Sequence, residues 1–115
     1  MRETIRDMHE SVRAAERRRQ WGRLQELQSA LKRRGLRTWV HGWEDAIRRG
    51  RDDYVWHDGP QPYLALPVRD GTPDVLVIVD GRTFAWLHSD GRLRRVDADR
   101  LDLAVDRVIG TLITS

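Results

Sequence analysis

The side chains here that could move a proton or hold a metal are four histidines and scattered carboxylates. His9, His41, His57 and His88 lie far apart, with no His-x-His pair and no His-Glu-x-x-His helix turn. A zinc site needs several ligands at close spacing, and the chain has no Cys to complete a set. His41 with Glu44 or Asp45, and His57 with Asp58, have the composition of a base and an orienting carboxylate. The same residues read more simply as histidines at strand ends. Asp74, Asp80 and Arg82, with Pro73 ahead of them, resemble the acidic-acidic-basic set of certain nucleases. Six residues of extended chain at about 3.3 Å each hold the two carboxylates roughly 20 Å apart, too far to share an ion. No phosphate-binding glycine loop and no Gly-x-Ser-x-Gly turn occurs, and Ser11, Ser29, Ser89 and Ser115 stand in no nucleophile context. The residues point to no catalytic group, metal or cofactor, and the expectation is a protein that is not an enzyme.

Binding chemistry is better represented. Arg2, Arg6, His9, Arg13 and Arg17 fall within about 80° of a helical wheel, and Arg48, Arg49 and Arg51 add a second basic group. Such a stripe suits a phosphate backbone, so a nucleic-acid-binding regulator is one reading. Glu3, Asp7 and Glu10 lie on the adjacent face, and a solvated, salt-bridged helix explains both sets. All but one of the 21 basic residues are Arg, Lys32 being the exception, which matches GC-rich codon usage as well as a function. Residues 1–52 carry 14 basic and 8 acidic side chains, whereas 53–115 carry 7 and 10. A basic first half and an acidic second half suit self-association or an acidic partner. Five Trp in 115 residues are many, and Trp is enriched at interfaces. Trp21 and Trp86 are expected in the core, and Trp43, between Gly42 and Glu44-Asp45, on the surface.

The elements that position these groups follow from four Asp-Gly pairs at Asp58-Gly59, Asp70-Gly71, Asp80-Gly81 and Asp90-Gly91. Asp-Gly is a strong hairpin signal because both residues tolerate positive φ. Strands are expected at 36–41, 53–57, 63–68, 75–79, 83–88 and 92–96, with 43–52 a loop or a short helical turn. Pro67 suggests an edge or a bulge. Val75-Leu76-Val77-Ile78-Val79 reads as a central strand buried on both faces. A two-residue turn at Asp80-Gly81 would set Val77 opposite Phe84 and Val75 opposite Trp86.

Residues 3–34 read as helix, ending in Lys32-Arg33-Arg34 before Gly35. Its apolar stripe changes face near Arg17-Arg18-Arg19: Ile5, Met8, Val12 and Ala15 form one stripe, Trp21, Leu24, Leu27 and Leu31 another. The helix either breaks there or serves two partners. A last helix over 98–113, capped by Asp97 or Asp99, completes the chain. The expected fold is a two-layer α+β domain: N-terminal helix, antiparallel meander of four to six strands, C-terminal helix. Residues 1–19 form a helical extension and 20–115 a single domain. No signal-peptide core or membrane-length apolar run is present, and a cytoplasmic location is expected.

Several short matches share an order along the chain: Leu31-Lys32-Arg33-Arg34-Gly35-Leu36, Pro62-Tyr63-Leu64, Phe84-Ala85-Trp86, and Asp97-Ala98-Asp99-Arg100-Leu101 through Ile109. In this order residues 24–113 resemble a group of small, uncharacterised actinobacterial proteins, many encoded beside helix-turn-helix regulators. The sequence departs from the group in keeping only Trp86 of a tryptophan-dense strand. It also carries Arg69-Asp70-Gly71-Thr72-Pro73 in place of a proline-bearing loop. The resemblance implies a small accessory or regulatory protein and carries over no catalytic residue.

The combined expectation is a protein-interaction module that binds another protein or a second copy of itself. Ile5, Met8 and Val12 of the first stripe, Trp43, and Val75, Val77, Phe84 and Trp86 of the central hairpin are its expected contact residues.

Overall fold

The computed structural model describes residues 2–41, 61–68, 71–88 and 90–114, with helix side chains described from Ala15 to Ile113. Its elements are α1 (Arg2–Arg33), β1 (Trp39–His41), β2 (Tyr63–Leu66), β3 (Val75–Asp80), β4 (Thr83–Leu87), β5 (Leu93–Asp97) and α2 (Leu101–Thr114). The strands form one antiparallel sheet in the order β1-β2-β3-β4-β5. This is the expected α+β meander between two helices. The 43–52 segment, the expected strand at 53–57 and the Asp58-Gly59 turn lie outside the described residues.

α1 is a single helix of 32 residues, with no break at the change of stripe. It ends as its sequence directs. Gly35 has φ +83°, its N–H bonds the Lys32 carbonyl at 2.9 Å, and the Leu36 N–H reaches the Leu31 carbonyl at 3.1 Å. The pair satisfies carbonyls that the helix end leaves open, and Gly takes the left-handed conformation without a Cβ penalty. Burial along the described part of α1 begins at Gln20 and continues through Leu24, Leu27, Ala30 and Leu31, while Ala15 of the first stripe is exposed. Arg19 marks the transition. It grips Glu16 with two hydrogen bonds and donates to the Gly81 carbonyl at 2.7 Å, at the β3–β4 turn. N-terminal to Arg19 the helix runs on for about 25 Å at ~1.5 Å per residue. The chain is correspondingly long, 53 × 28 × 26 Å.

The turn between β3 and β4 differs from expectation. Asp80 pairs with Thr83, so the two loop residues are Gly81 and Arg82, and Val77 faces Trp86 while Val79 faces Phe84. Only Gly81 takes positive φ, +60°, which is the requirement of a turn with Gly in its first loop position. The expected register is off by two residues. Because side chains alternate with period two, each residue keeps its face.

α1 and α2 cover the same face of the sheet. Val40, Leu64, Leu66, Val77, Val79, Phe84, Trp86 and Val96 point into that layer against Leu24, Leu27, Leu31, Ala104, Val105 and Val108. A fully buried Leu stabilises by about 1.5–3 kcal/mol relative to exposure. The central strand β3 is therefore buried on one face only: Val75, Val77 and Val79 are inside, while Leu76 is 50 % exposed. β2 ends at Leu66, and Pro67 lies just beyond, where no ladder donor is needed.

The expected cap of the last helix also shifts. Arg100 supplies the first carbonyl, to the Ala104 N–H at 3.0 Å, and Asp97 instead accepts from the Asp99 N–H one turn earlier. Asp99 accepts from Arg23 at 2.5 Å, and Asp106 from Arg34 at 3.3 Å. Part of the charge asymmetry between the two halves is thus consumed inside the molecule, between a basic α1 and the acidic residues in and before α2.

Candidate functional site

The face of the sheet turned away from α1 and α2 carries the first candidate surface. Its register sets Trp39 beside Ala65, Ala65 beside Leu76, and Leu87 beside Leu93. Continuing the β3–β4 register by one residue sets Leu76 beside Leu87. The result is one row across all five strands: Trp39, Ala65, Leu76, Leu87, Leu93. Four of its members are 48–61 % exposed. The neighbouring row holds His41, stacked on Tyr63 with ring centroids 4.9 Å apart, then Ile78, Ala85 and Arg95. The third row is polar: Asp80, Thr83 and Asp97, with Arg95 reaching across to Asp80. The face therefore grades from apolar to charged along the strands. A depression of about 390 Å³ lies at its apolar end, lined by Leu76, Leu87, Val68 and Pro73 among others.

A second candidate is a cleft of about 690 Å³ on the helix side, between edge strand β5 and α2. Its floor is Trp86 and Val96, and its walls carry Arg94, Arg100 and Arg107. Trp86 Nε1 donates to Thr111 Oγ1 at 2.9 Å, and Thr111 Oγ1 donates to the Arg107 carbonyl at 3.1 Å. This chain ties α2 to the sheet at the base of the cleft. Arg94 is held by Asp90 at 2.9 Å, and the Arg92 N–H bonds the other Asp90 oxygen at 2.8 Å. That N–H and the nearby cations hold the Asp90 carboxyl below its ordinary range. Glu16 is held low in the same way by Arg19.

The residues expected at a partner surface divide three ways. Val75, Val77, Phe84 and Trp86 lie under α1 and α2, from 0 to 7 % exposed, and the exposed apolar residues of the hairpin are Leu76 and Leu87 on the opposite face. The apolar character of both faces was legible, but the side that the helices take was not. Trp43, Arg48, Arg49 and Arg51, with the residues near His57, lie outside the described residues. Ile5, Met8, Val12, Arg2, Arg6 and Arg13 are on the described backbone of α1 but precede its described side chains. Arg17 is half-buried and donates to Gln20 at 3.0 Å. Trp86 is in the core and Trp21 packs at its margin.

Sequence reasoning missed Trp39 and Leu93 as surface residues, and missed the cleft. The available signals were the spacing Arg100, Leu103, Arg107 on one helix face and a glycine, Gly110, in mid-helix. Among the described residues no cluster of three or more His, Asp or Glu could hold a metal ion. No helix among them is long and apolar enough to cross a membrane. Comparison with protein families, curated proteins and solved structures finds no match to this chain.

Proposed function

We propose that this chain is a non-enzymatic protein-interaction module, of accessory or regulatory type, that self-associates through the open face of its sheet. The supporting observation is the row of half-exposed Trp39, Leu76, Leu87 and Leu93 on four of the strands, joined across β2 by the buried Ala65. A contiguous apolar patch is complementary to itself, so a copy related by a two-fold axis satisfies it without a matching partner. Five strands ~4.8 Å apart and five residues of ~3.3 Å give this face an extent on the order of 400 Å². The apolar end, the row from Trp39 to Leu93, is only part of that extent, because the face runs on into the polar row of Asp80, Thr83 and Asp97. A stable interface needs about 800 Å² per partner, so a second contribution is required. The stretch of α1 before Arg19 supplies one, because its apolar stripe of Ile5, Met8, Val12 and Ala15 is separate from the stripe that packs in the core.

Light scattering after size-exclusion chromatography tests this reading. The expected mass is twice the 13.5 kDa of the chain at micromolar concentration. Leu76→Asp and Leu87→Asp are expected to give folded monomers, and a chain beginning at Gln20 a weaker dimer. A monomeric parent at ~100 μM would overturn the proposal. So would a monomer that Leu87→Asp unfolds, which would mean that the face is already covered within one chain.

A further inference from the structure

We infer that the free edge of β5 and the cleft beside it form a second binding site, for an extended acidic segment of a partner protein that adds to the sheet as a sixth strand. Among the described residues β5 is the last strand of the sheet. Its pairing with β4 fixes which backbone groups point outward. The Ala98 N–H bonds the Arg82 carbonyl at 2.8 Å, and the His88 N–H bonds the Arg92 carbonyl at 2.9 Å. Antiparallel ladders alternate, so residues 92, 94, 96 and 98 spend their backbone groups on β4, and 93, 95 and 97 aim theirs at the open side. The Asp97 carbonyl accepts from the Arg100 N–H. Among the described residues, the N–H and C=O of Leu93 and Arg95 have no partner. An edge of this kind is a template for one more strand.

The cleft states what that strand should carry. A strand laid along β5 alternates its side chains between the open face of the sheet and the helix side. On the helix side it meets Arg94, Arg100 and Arg107 above the buried floor of Trp86 and Val96. Arg100 and Arg107 are exposed and, among the described residues, unpaired. Of the carboxylates bordering the cleft, Asp106 is paired with Arg34, and Asp97 accepts the Asp99 N–H and belongs to the opposite face of the sheet by strand alternation. The site therefore presents unneutralised guanidinium groups that form charge-assisted hydrogen bonds with carboxylates. Gly110 faces the same space, and a Cβ there would meet nothing within 4 Å. On the open face the same strand runs beside Leu93, Arg95 and Asp97, so an apolar residue is favoured at the position next to Leu93. The strand edge argues for a peptide over a nucleic acid, because only a polypeptide backbone matches its alternating donors and acceptors.

The test is fluorescence anisotropy on the full chain, with a labelled heptapeptide of alternating Glu and Val as probe. Saturable binding is expected, at least tenfold tighter than for the Lys/Val peptide. Arg100→Glu and Arg107→Glu, with unchanged melting temperature, are expected to weaken it by tenfold or more. N-methylation of the peptide's alternate amides tests the strand geometry. One set of methyl groups is expected to abolish binding and the other to leave it intact. Absence of saturable binding would overturn the inference. So would equal binding of the Lys/Val peptide, equal loss from both methylated sets, or tighter, Arg100- and Arg107-dependent binding of oligo-dT, which would make the cleft a nucleic-acid site.

Discussion

The bond between Trp86 Nε1 and Thr111 Oγ1 allows a quantitative test of how α2 is held on the sheet. The two residues are 2 % and 4 % exposed, and the bond is 2.9 Å long. Thr111→Val keeps the side-chain shape and removes the acceptor. The indole N–H is then buried without a partner, which costs about 1–3 kcal/mol. For a domain of this size the melting temperature should fall by about 4 °C per kcal/mol. Trp86→Phe removes the donor and has its own cost in lost packing, while Thr111 still donates to the Arg107 carbonyl. In the double variant neither indole donor nor hydroxyl is present, so no donor is stranded. Its destabilisation should therefore fall short of the sum of the single losses by about 1 kcal/mol. Urea unfolding of the four proteins at one fixed concentration measures the cycle. Additivity within ~0.3 kcal/mol would refute the reasoning, because residues joined by a buried bond must couple. A neutral Thr111→Val would refute it as well.

Three further outcomes are expected. Gly110→Ala should stabilise the fold by about 0.5–1 kcal/mol in urea unfolding, since Gly in mid-helix is costly and a Cβ at this position is unobstructed. Gly81→Ala should destabilise by about 1 kcal/mol or more, because φ is +60° at this position and a Cβ is strained there. Glu16 and Asp90 are both held below the ordinary carboxylate range in the fold. Their contribution is therefore fully present above the unfolded values, near pH ~4, and is lost as pH falls through the lower folded values. The urea midpoint should drop on acidification through this window, and Glu16→Gln with Asp90→Asn should flatten the drop; an unchanged slope would show that other carboxylates carry it.

Local signals carried the meander because they act at short range. Gly35, Gly81 and Gly91 all take positive φ where Asp-Gly or the helix end called for it. The stripe of Leu24, Leu27 and Leu31 identified the part of α1 that packs. The register slip at Gly81-Arg82 left every face unchanged, since an error of two residues is invisible to an alternating pattern. The candidate sites were less legible. The row from Trp39 to Leu93 joins residues of five strands that become neighbours only through pairing, and β5 became an edge only when the strand order was complete.

By itself the sequence determined helix, antiparallel strands and helix, the glycines around which the described hairpins turn, and a central hairpin apolar on both sides. Only the tertiary structure decided which side the helices cover, putting Val75, Val77, Phe84 and Trp86 inside and leaving Leu76 and Leu87 open. The reason is physical. Period-two alternation states that two faces differ, but their assignment rests on the summed packing of α1 and α2 against the described strands. No segment carries that sum alone.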